Sequence, residues 1–174
     1  SREGGIQIGH FLGKVDGNFA NAFKQAVTRF PTAKRFVVPM GRNVLTRPLT
    51  EQDGLRNDIC IDGIDPQSSF IETAPGVKQM FLFQQEAHQN VRFRNLGFFM
   101  PNATQNFGAS INMSNSVDTT VDNCHFRCTF PTAVNDGIYN GLQLLGGTNL
   151  TISRCRFDGV QAVLCGLGRS VNGA

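Results

Sequence analysis

Apolar and polar positions alternate along three aligned segments in the second half of the chain. The segments 83–98, 111–126 and 142–157 align without a gap over sixteen positions, at offsets of 28 and 31 residues. Such alternation predicts short strands with one buried face and one exposed face. The apolar columns of the alignment are Phe83, Ile111 and Leu142; Phe93, Val121 and Ile152; Leu96, Cys124 and Cys155; and Phe98, Phe126 and Phe157.

The alternation breaks once in each segment, where the sequence predicts a corner between two strands. Asn95 and Asn123 share this position, and Arg154 is its third member. Asn and Asp tolerate left-handed backbone and can bond to the same residue of the next repeat, so we expect a ladder of corner residues. A second such column, at the corner before the second strand, consists of Asn90, Asp118 and Asn149, and the Asn95 column is at the corner after that strand.

A period near 30 residues built from short strands favours a coiled chain over a flat sheet. Each repeat can bury its apolar residues only against the next copy, so successive repeats should stack as parallel rungs of about three short strands each. The two offsets differ because the connecting segments 99–110 and 127–141 differ in length. Insertions on one face of a solenoid are common places for function.

The first third of the chain has a different pattern, which predicts a helix before the first strands. Apolar residues at helical spacing predict an α-helix over 18–30, with Asp16 or Asn18 as N-cap and Pro31 as its stop. The stretches FVVPMGRNVLT and NDICIDGID then predict short strands bounded by turns. We expect one domain over 1–174, with the helix covering the open end of the core and rungs over 34–174. The segment VLCGLGRSVNGA predicts no equivalent cap, so either further rungs or another chain should cover that end.

This order of elements carries a resemblance to a known family. An amphipathic helix after DGN, the FVVPMGRNVLT stretch, ICIDGID and the repeated pattern of an apolar residue, x, Asn, Leu or Cys, x and Phe are similar to the N-terminal part of the pectate-lyase-like superfamily. Within it, the chain most resembles bacteriophage tailspikes and polysaccharide depolymerases over about residues 14–165. The resemblance implies an all-β fold, a right-handed parallel β-helix of about five rungs with an N-terminal capping α-helix. It implies chemistry only weakly, because the superfamily includes lyases, hydrolases, epimerases and non-catalytic adhesins.

Net charge, apolar runs and cysteine content limit the kinds of partner and compartment that the chain can have. The net charge of +3, from twelve Arg and four Lys among scattered acids, is too weak and mixed to indicate nucleic acid. No apolar run has the length of a membrane span, and no signal-peptide pattern begins the chain. Five Cys without a CxxC pair favour buried, reduced thiols and assembly in a reducing compartment. Cys124 over Cys155 would lie within disulfide reach, although a stacked apolar column is the simpler interpretation.

Outward positions of the repeat supply the first set of candidate site residues. Arg127 is in register with Asp158, as Arg94 is with Asp122, so both couples should form cross-strand ion pairs. Exposed ion pairs are the simpler interpretation. The alternative is a polar patch on one external face that grips a sugar carboxylate or hydroxyls through Arg forks. Its members would be His125, Arg127, Arg156 and Asp158.

A second set comes from the connecting loop TAVNDGIYNG. Asp136 and Tyr139, the only tyrosine, could contact a sugar there, although Asn-Asp-Gly is more often a simple turn. Glycoside hydrolysis needs two carboxyl groups facing one bond, and Asp136 and Asp158 are the candidate catalytic residues. A lyase would instead need a base, for which His125 beside Arg156 could serve. No cluster of three acids can be assembled from the repeat, so we expect no metal and no cofactor.

Two functions remain open from the sequence. The first is a phage tailspike-like depolymerase that binds or cleaves bacterial surface polysaccharide, as glycosidase or lyase. The second is a non-catalytic structural or adhesive β-helix of a virion or cell-surface assembly, possible as a homotrimer. We expect a virion or extracellular location, a polysaccharide partner, no nucleic acid and no membrane insertion.

Overall fold

The fold is built from short strands that return to the same three sheets. A computed structural model describes residues 4–83, 87–101, 108–129 and 139–166, with the backbone alone for residues 139 and 161–166. The helices are α1 Gly9–Leu12 and α2 Phe19–Arg29, and a short 3-10 helix spans Glu51–Asp53. The early strands are β1 Ile6–Gln7, β2 Arg35–Val37, β3 Gly41–Leu45, β4 Cys60–Asp62, β5 Ser69–Thr73, β6 Gln79–Phe83, β7 Arg92–Arg94 and β8 Gly97–Met100. The later strands are β9 Gly108–Ser114, β10 Thr120–Asp122, β11 His125–Cys128, β12 Tyr139–Leu145, β13 Thr151–Ser153, β14 Arg156–Asp158 and β15 Gln161–Gly166.

The strands form three parallel sheets. Sheet A has the order β1-β2-β4-β7-β10-β13, sheet B the order β3-β5-β8-β11-β14, and sheet C the order β6-β9-β12-β15. From β4 onward the chain passes from sheet A to sheet B to sheet C and then returns to sheet A one rung further along. Every strand pair is parallel. The all-β parallel solenoid predicted from the sequence is confirmed.

Like side chains stack over like along the interior. The rings of Phe98 and Phe126 are parallel with centroids 4.8 Å apart, and Phe157 follows at 5.0 Å. These distances match the spacing of neighbouring strands, because each ring sits on the next rung at the same position. Phe98 and Phe126 are fully buried, and the apolar columns contribute most of their members to the core. The exception is Ile152, which was predicted to be buried in its column and is exposed at 36%.

One predicted column is wrong by two residues. Phe83 pairs with Met113, and Phe81 is the residue in register with Ile111 and Leu142. The gap-free alignment fails here because Arg92 lies nine positions after Phe83, whereas Thr120 lies seven positions after Met113, the residue in register with Phe83. A shift of two keeps the side chain on the same face of the strand, so Phe83 is buried all the same.

The corner ladders are confirmed. All six predicted members have positive φ between 50° and 56°, and Asp58 extends one ladder with φ 58°. Asn123 donates its amide to Asn95 Oδ1 at 2.8 Å, and Asn149 donates to Asp118 Oδ1 at 3.1 Å. At the end of one ladder Arg154 replaces the Asx residue and donates to Asp122. The six predicted members are Asn90, Asp118, Asn149, Asn95, Asn123 and Arg154.

The capping helix is also confirmed. The side chain of Asn18 accepts a hydrogen bond from the Ala20 backbone N–H at 3.0 Å, which fixes the start of α2. One face of α2 is buried, and the Phe23 ring lies 5.6 Å from the Phe36 ring of the first rung. The four-residue helix α1 was not predicted, because one turn has too few positions to show a period.

Candidate functional site

Four of the predicted site residues lie side by side on the outer face of sheet B. His125 and Arg127 are on β11, in register with Arg156 and Asp158 on β14. Successive side chains of a strand point to opposite faces, so the inward Phe126 forces its two neighbours outward. The four side chains of the predicted patch are therefore neighbours on one face of the sheet.

Asp158 is the centre of charge in this cluster. Its Oδ2 accepts a hydrogen bond from Arg156 Nε at 2.8 Å and lies 2.7 Å from His125 Nε2. The hydrogen bond from Arg156, and then that from His125, lowers the pKa of Asp158 from its ordinary value. A carboxylate held in this way stays ionised, and it orients the imidazole through Nε2.

Arg127 has a different partner from the predicted one. Its guanidinium lies over the Phe99 ring at 4.2 Å from the centroid, in a cation–π contact. Asp158 is in register with Arg127, as expected, but it is bonded to Arg156 and His125. The Asp158 carboxylate is therefore bound by Arg156 of its own strand and by His125, its diagonal neighbour on β11. Arg127 contacts the Phe99 ring instead.

The other predicted ion pair is also corrected. Arg94 is in register with Asp122, but Arg94 donates to Asp62 on the opposite side at 3.0 Å. Asp62 is almost fully buried and accepts from Arg35 as well, at 2.7 Å. Asp122 is bound by Arg154 and by the Ser153 hydroxyl at 2.8 Å. Arg94 has an acid in register on either side, Asp62 and Asp122, and register alone does not choose between them.

The cluster lines a cleft of about 400 Å³. One wall comes from the turn before β5, at Pro66 and Gln67, and aromatic side chains complete the cleft at Phe70 and Phe99. Gly97 lies between the turn and the strands, where an added Cβ would be 2.3 Å from the Pro66 carbonyl oxygen. The missing side chain thus lets the turn approach the sheet and form the wall.

A smaller depression of about 310 Å³ continues the cleft toward the corner between sheets A and B. It adds Arg154 to the basic side chains along this face. The two depressions share four lining residues, so they form one continuous groove. The shared residues are Pro66, Gln67, His125 and Arg156.

The side chains of the remaining predicted site residues lie outside the described part of the structure. Asp136 lies outside the described residues. Tyr139 begins β12 of sheet C, where its backbone pairs with Gly108, and its side chain is not described. The predictions for Asp136 and Tyr139 therefore stay predictions.

Sequence reasoning missed the aromatic lining and the turn wall. Phe99 follows the inward Phe98 on β8, so its outward direction was available from the alternation of the strand. An outward Phe in the same column as Arg127 is the signal that could have identified it. Pro66 and Gln67 belong to an earlier rung, and no local pattern places that turn beside β11.

Other features of the described chain bear on function. Among residues 4–83, 87–101, 108–129 and 139–166 no three His, Cys, Asp or Glu side chains are grouped to hold a metal ion. No helix in that part of the chain is both long and apolar enough to cross a membrane. A more apolar groove of about 700 Å³ lies beside α1 and α2, lined in part by Phe11 and Phe30.

Comparisons with known proteins support the fold. Neither a scan against models of protein families nor a search of curated proteins finds a match. Among solved structures, the chain is similar to the Streptococcus pneumoniae surface protein and adhesin PfbA, with a TM-score of 0.63 and 12% identity. That likeness covers 98% of this chain but 44% of the PfbA chain, so this chain spans less than half the length of that structure.

A second solved structure gives the same result for the fold. The chain is similar to a candidate glycosyl hydrolase from Parabacteroides merdae ATCC 43184, with a TM-score of 0.51 and 10% identity. The likeness covers 91% of this chain and 96% of that one. At such low identity both comparisons concern the shared backbone arrangement alone.

Proposed function

We propose that this chain is a carbohydrate-binding β-helix whose site is the cleft on sheet B. The observation that carries the proposal is the convergence of Arg127, Arg156 and His125 on one side of a cleft with a single carboxylate, Asp158. Basic side chains exceed acidic ones there, which favours a saccharide that carries carboxylate or another anionic group. Guanidinium groups recognise such anions through paired N–H donors.

The dimensions of the cleft suit a sugar residue or two. Ligand sites commonly have volumes of about 300–1,000 Å³ and combine apolar walls with a few polar groups. Phe70 and Phe99 supply the apolar surface, and the charged side chains supply hydrogen bonds. The contiguous depression toward Arg154 gives room for a chain that continues beyond the first sugar.

Binding without hydrolysis is the better account of the described residues. Glycoside hydrolysis needs two carboxyl groups about 5–9.5 Å apart, and one of them must be protonated to act as an acid. Asp158 is the single carboxylate among the described residues that line the 400 Å³ cleft. Asp65 lines the adjoining depression, and hydrogen bonds from Ser68 and then Gln67 lower the pKa of that carboxyl as well. The lowered pKa of Asp158 keeps it ionised, which is the wrong state for a proton donor. Catalysis by Asp136 and Asp158 together stays a prediction.

One observation favours a second function, eliminative cleavage of an acidic polysaccharide. His125 is oriented by Asp158 at 2.7 Å, which is the arrangement of a general base with its orienting carboxylate. Arg156 or Arg127 could neutralise the carboxylate of a uronic acid while His125 removes the neighbouring proton. The sequence resemblance to depolymerases supports this alternative equally well.

We also propose that the chain works in a surface assembly. The likeness to a surface protein and adhesin supports an extracellular or surface location, and the resemblance to tailspikes adds a virion as one form of it. A homotrimer is part of the same proposal. Analytical ultracentrifugation tests it: a trimer mass supports this assembly, and a monomer at high concentration contradicts it.

The binding proposal is tested with acidic and neutral oligosaccharides from bacterial capsule and lipopolysaccharide. We expect wild-type protein to bind acidic ones, and Arg156→Gln to weaken binding about 10- to 100-fold, as the loss of a charge-assisted hydrogen bond would. Arg92→Gln is the matched control, since Arg92 lies exposed on the outer face of sheet A. Equal binding by wild type and Arg156→Gln, or equal loss in both variants, would contradict the proposal.

The same preparations separate binding from cleavage. New reducing ends indicate a hydrolase, and new reducing ends with an ultraviolet-absorbing unsaturated product indicate a lyase. In the eliminative alternative, His125→Gln should abolish the product while leaving most of the binding intact. A product that survives both His125→Gln and Asp158→Asn would exclude this cleft as the place of the chemistry.

A further inference from the structure

Two thiols occupy the same position on successive rungs. Asp122 is in register with Ser153, and His125 is in register with Arg156, so Cys124 lies directly over Cys155. Neighbouring strands are about 4.8 Å apart. This spacing falls inside the Cα–Cα range of about 4.4–6.8 Å that a disulfide can span.

The sulfurs also point the same way. Cys124 Sγ lies 3.4 Å from its own strand's Asp122 carbonyl oxygen, and Cys155 Sγ lies 3.2 Å from the equivalent Ser153 oxygen. Cys155 Sγ is in addition 3.6 Å from the Val121 carbonyl oxygen on the rung of Cys124. Each thiol thus leans toward the preceding rung: Cys155 toward the rung of Cys124, and Cys124 toward the Phe93 carbonyl oxygen at 3.7 Å. Both are free thiols in this structure.

The surroundings favour reaction at Cys155. The hydrogen bond from Cys124 lowers the pKa of Cys155 to about 7, while burial raises the pKa of Cys124. Arg154, the preceding residue, carries a positive charge that interacts with the Cys155 sulfur, while the negative charge of Asp122 acts on this thiol in the opposite sense. Cys124 itself lines the depression that continues the cleft, together with Arg154 and His125. A low pKa in a half-buried thiol is typical of reactive cysteines.

We propose that Cys124 and Cys155 are a redox pair that small disulfides oxidise to a disulfide bridge between two rungs. The Cys155 thiolate attacks one sulfur of the small disulfide, forming a mixed disulfide and releasing one small thiol. Cys124 then loses its proton and attacks Cys155 Sγ, which forms the bridge and releases the second small thiol. The protein loses two hydrogen atoms, and the small disulfide is reduced to two thiols. The proposal does not rest on the proposed saccharide ligand, although Cys124 lines the depression that continues the cleft.

The other described cysteines differ from this pair. Burial raises the pKa of Cys128 to about 12, and burial also raises the pKa of Cys60. Neither is in register with another cysteine in the described strand pairs: Cys128 is in register with Met100, and Cys60 with Arg35 and Arg92. They are therefore internal controls for the same protein sample.

The test uses folded wild-type protein and oxidised glutathione. After incubation, free thiols are blocked with N-ethylmaleimide, and the digest is mapped by mass spectrometry. We expect one peptide pair joined through Cys124 and Cys155, with Cys60 and Cys128 still blocked by the reagent. Preferential bridging of any other pair, including one with Cys165, would overturn the proposal, as would complete recovery of the reduced pair while Cys128 is oxidised.

Variants resolve the order of the two steps. Cys124→Ala should stop at a mixed glutathione disulfide on Cys155, formed at least about tenfold faster than on Cys128 because more of the thiol is ionised. Cys155→Ala should leave Cys124 reduced. Cys128→Ala is the matched control and should leave bridging unchanged, with circular dichroism confirming the fold of each variant. A mixed disulfide that forms first on Cys124 would contradict the assignment of Cys155 as the attacking thiol.

Discussion

Left-handed backbone positions determine where each rung turns. Within the described residues nine non-glycine residues have positive φ, and all but Arg154 are Asn or Asp. This conformation costs most L-residues about 1–2 kcal/mol, and short polar side chains reduce the cost by local hydrogen bonds. The residues of the corner ladders therefore both adopt the left-handed backbone of the turn and form side-chain hydrogen bonds between rungs.

The ladder makes a quantitative prediction at Asn123. Asn123 has φ 50° and donates to Asn95 at 2.8 Å. Asn123→Ala loses both the tolerance of left-handed backbone and the hydrogen bond, so it should lower the free energy of unfolding by about 2–3 kcal/mol. Asn123→Gly loses the hydrogen bond alone and should cost about 1 kcal/mol less. Urea unfolding measures both, and equal losses would contradict the conformational part.

Arg154 is the exception among the corner residues, and its partner shows why it is tolerated. It donates to Asp122 through two guanidinium nitrogens. These bonds, followed by that from Ser153, lower the pKa of Asp122 from 3.8 to about 2. The folded carboxyl thus has the lower pKa, so its contribution to stability is present above pH 3.8 and is lost as the pH falls through about 2.

A titration tests this pair. In wild-type protein the carboxyl carbon of Asp122, followed by NMR, should titrate with a midpoint near 2. Arg154→Gln removes the guanidinium hydrogen bonds that lower this pKa most, so the midpoint should move upward, toward the ordinary value of 3.8. Asp158, which is bound to other partners, should titrate as before. An unchanged Asp122 midpoint in the variant would mean that Arg154 does not hold this carboxylate.

The sequence did not predict which partners the arginine side chains bind. The sequence predicted the registers of Arg94 and Arg127 correctly, because stacking requires like over like. It did not predict that Arg94 binds Asp62 or that Arg127 covers Phe99. Long side chains reach partners on either neighbouring rung and on the diagonal. Their choice depends on burial and competing donors, which an alignment of repeats does not contain.

At the scale of elements, the strands were predictable and the connections were not. Alternation and the three copies gave the positions of β7, β8, β10, β11, β13 and β14. The shift at Phe83 arose because one corner is two residues longer than its counterpart. The amphipathic pattern and its Asn18 cap predicted α2, whereas α1 has a single turn and no period.

The contact between one turn and sheet B gives a prediction at Gly97. Its added Cβ would lie 2.3 Å from the Pro66 carbonyl oxygen and 2.8 Å from Phe70 Cβ. Gly97→Ala should therefore displace the turn, lower the free energy of unfolding by about 1–3 kcal/mol and weaken saccharide binding. Thermal unfolding and the oligosaccharide assay measure the two effects.

Gly13 is the matched control for this substitution. It has φ −65°, and an added Cβ would meet nothing within 4 Å. Gly13→Ala should leave binding unchanged and raise the free energy of unfolding by up to about 1 kcal/mol. A Gly97→Ala protein as stable as wild type would show that the turn yields without strain and that the wall of the cleft is not fixed by this contact.

At the scale of the whole molecule, the repeat predicted the whole solenoid but only one wall of the cleft. Outward positions of β11 and β14 placed His125, Arg127, Arg156 and Asp158 together. The opposite wall comes from residues 65–67, two rungs earlier, where the turn projects over the sheet. Such a contact joins segments about 60 residues apart in the chain and has no local signature. The predicted contribution of Asp136 and Tyr139 stays open to the binding and cleavage assays.

The most direct test of the account is to map the saccharide on the protein. Backbone amide signals of the isotope-labelled chain are followed by NMR while the best-binding acidic oligosaccharide is added. We predict that the shifts concentrate in β8, β11 and β14 and in the turn at 65–67. Shifts confined to the groove beside α1 and α2 or to the outer face of sheet A would contradict the account, as would no shift at saturating saccharide.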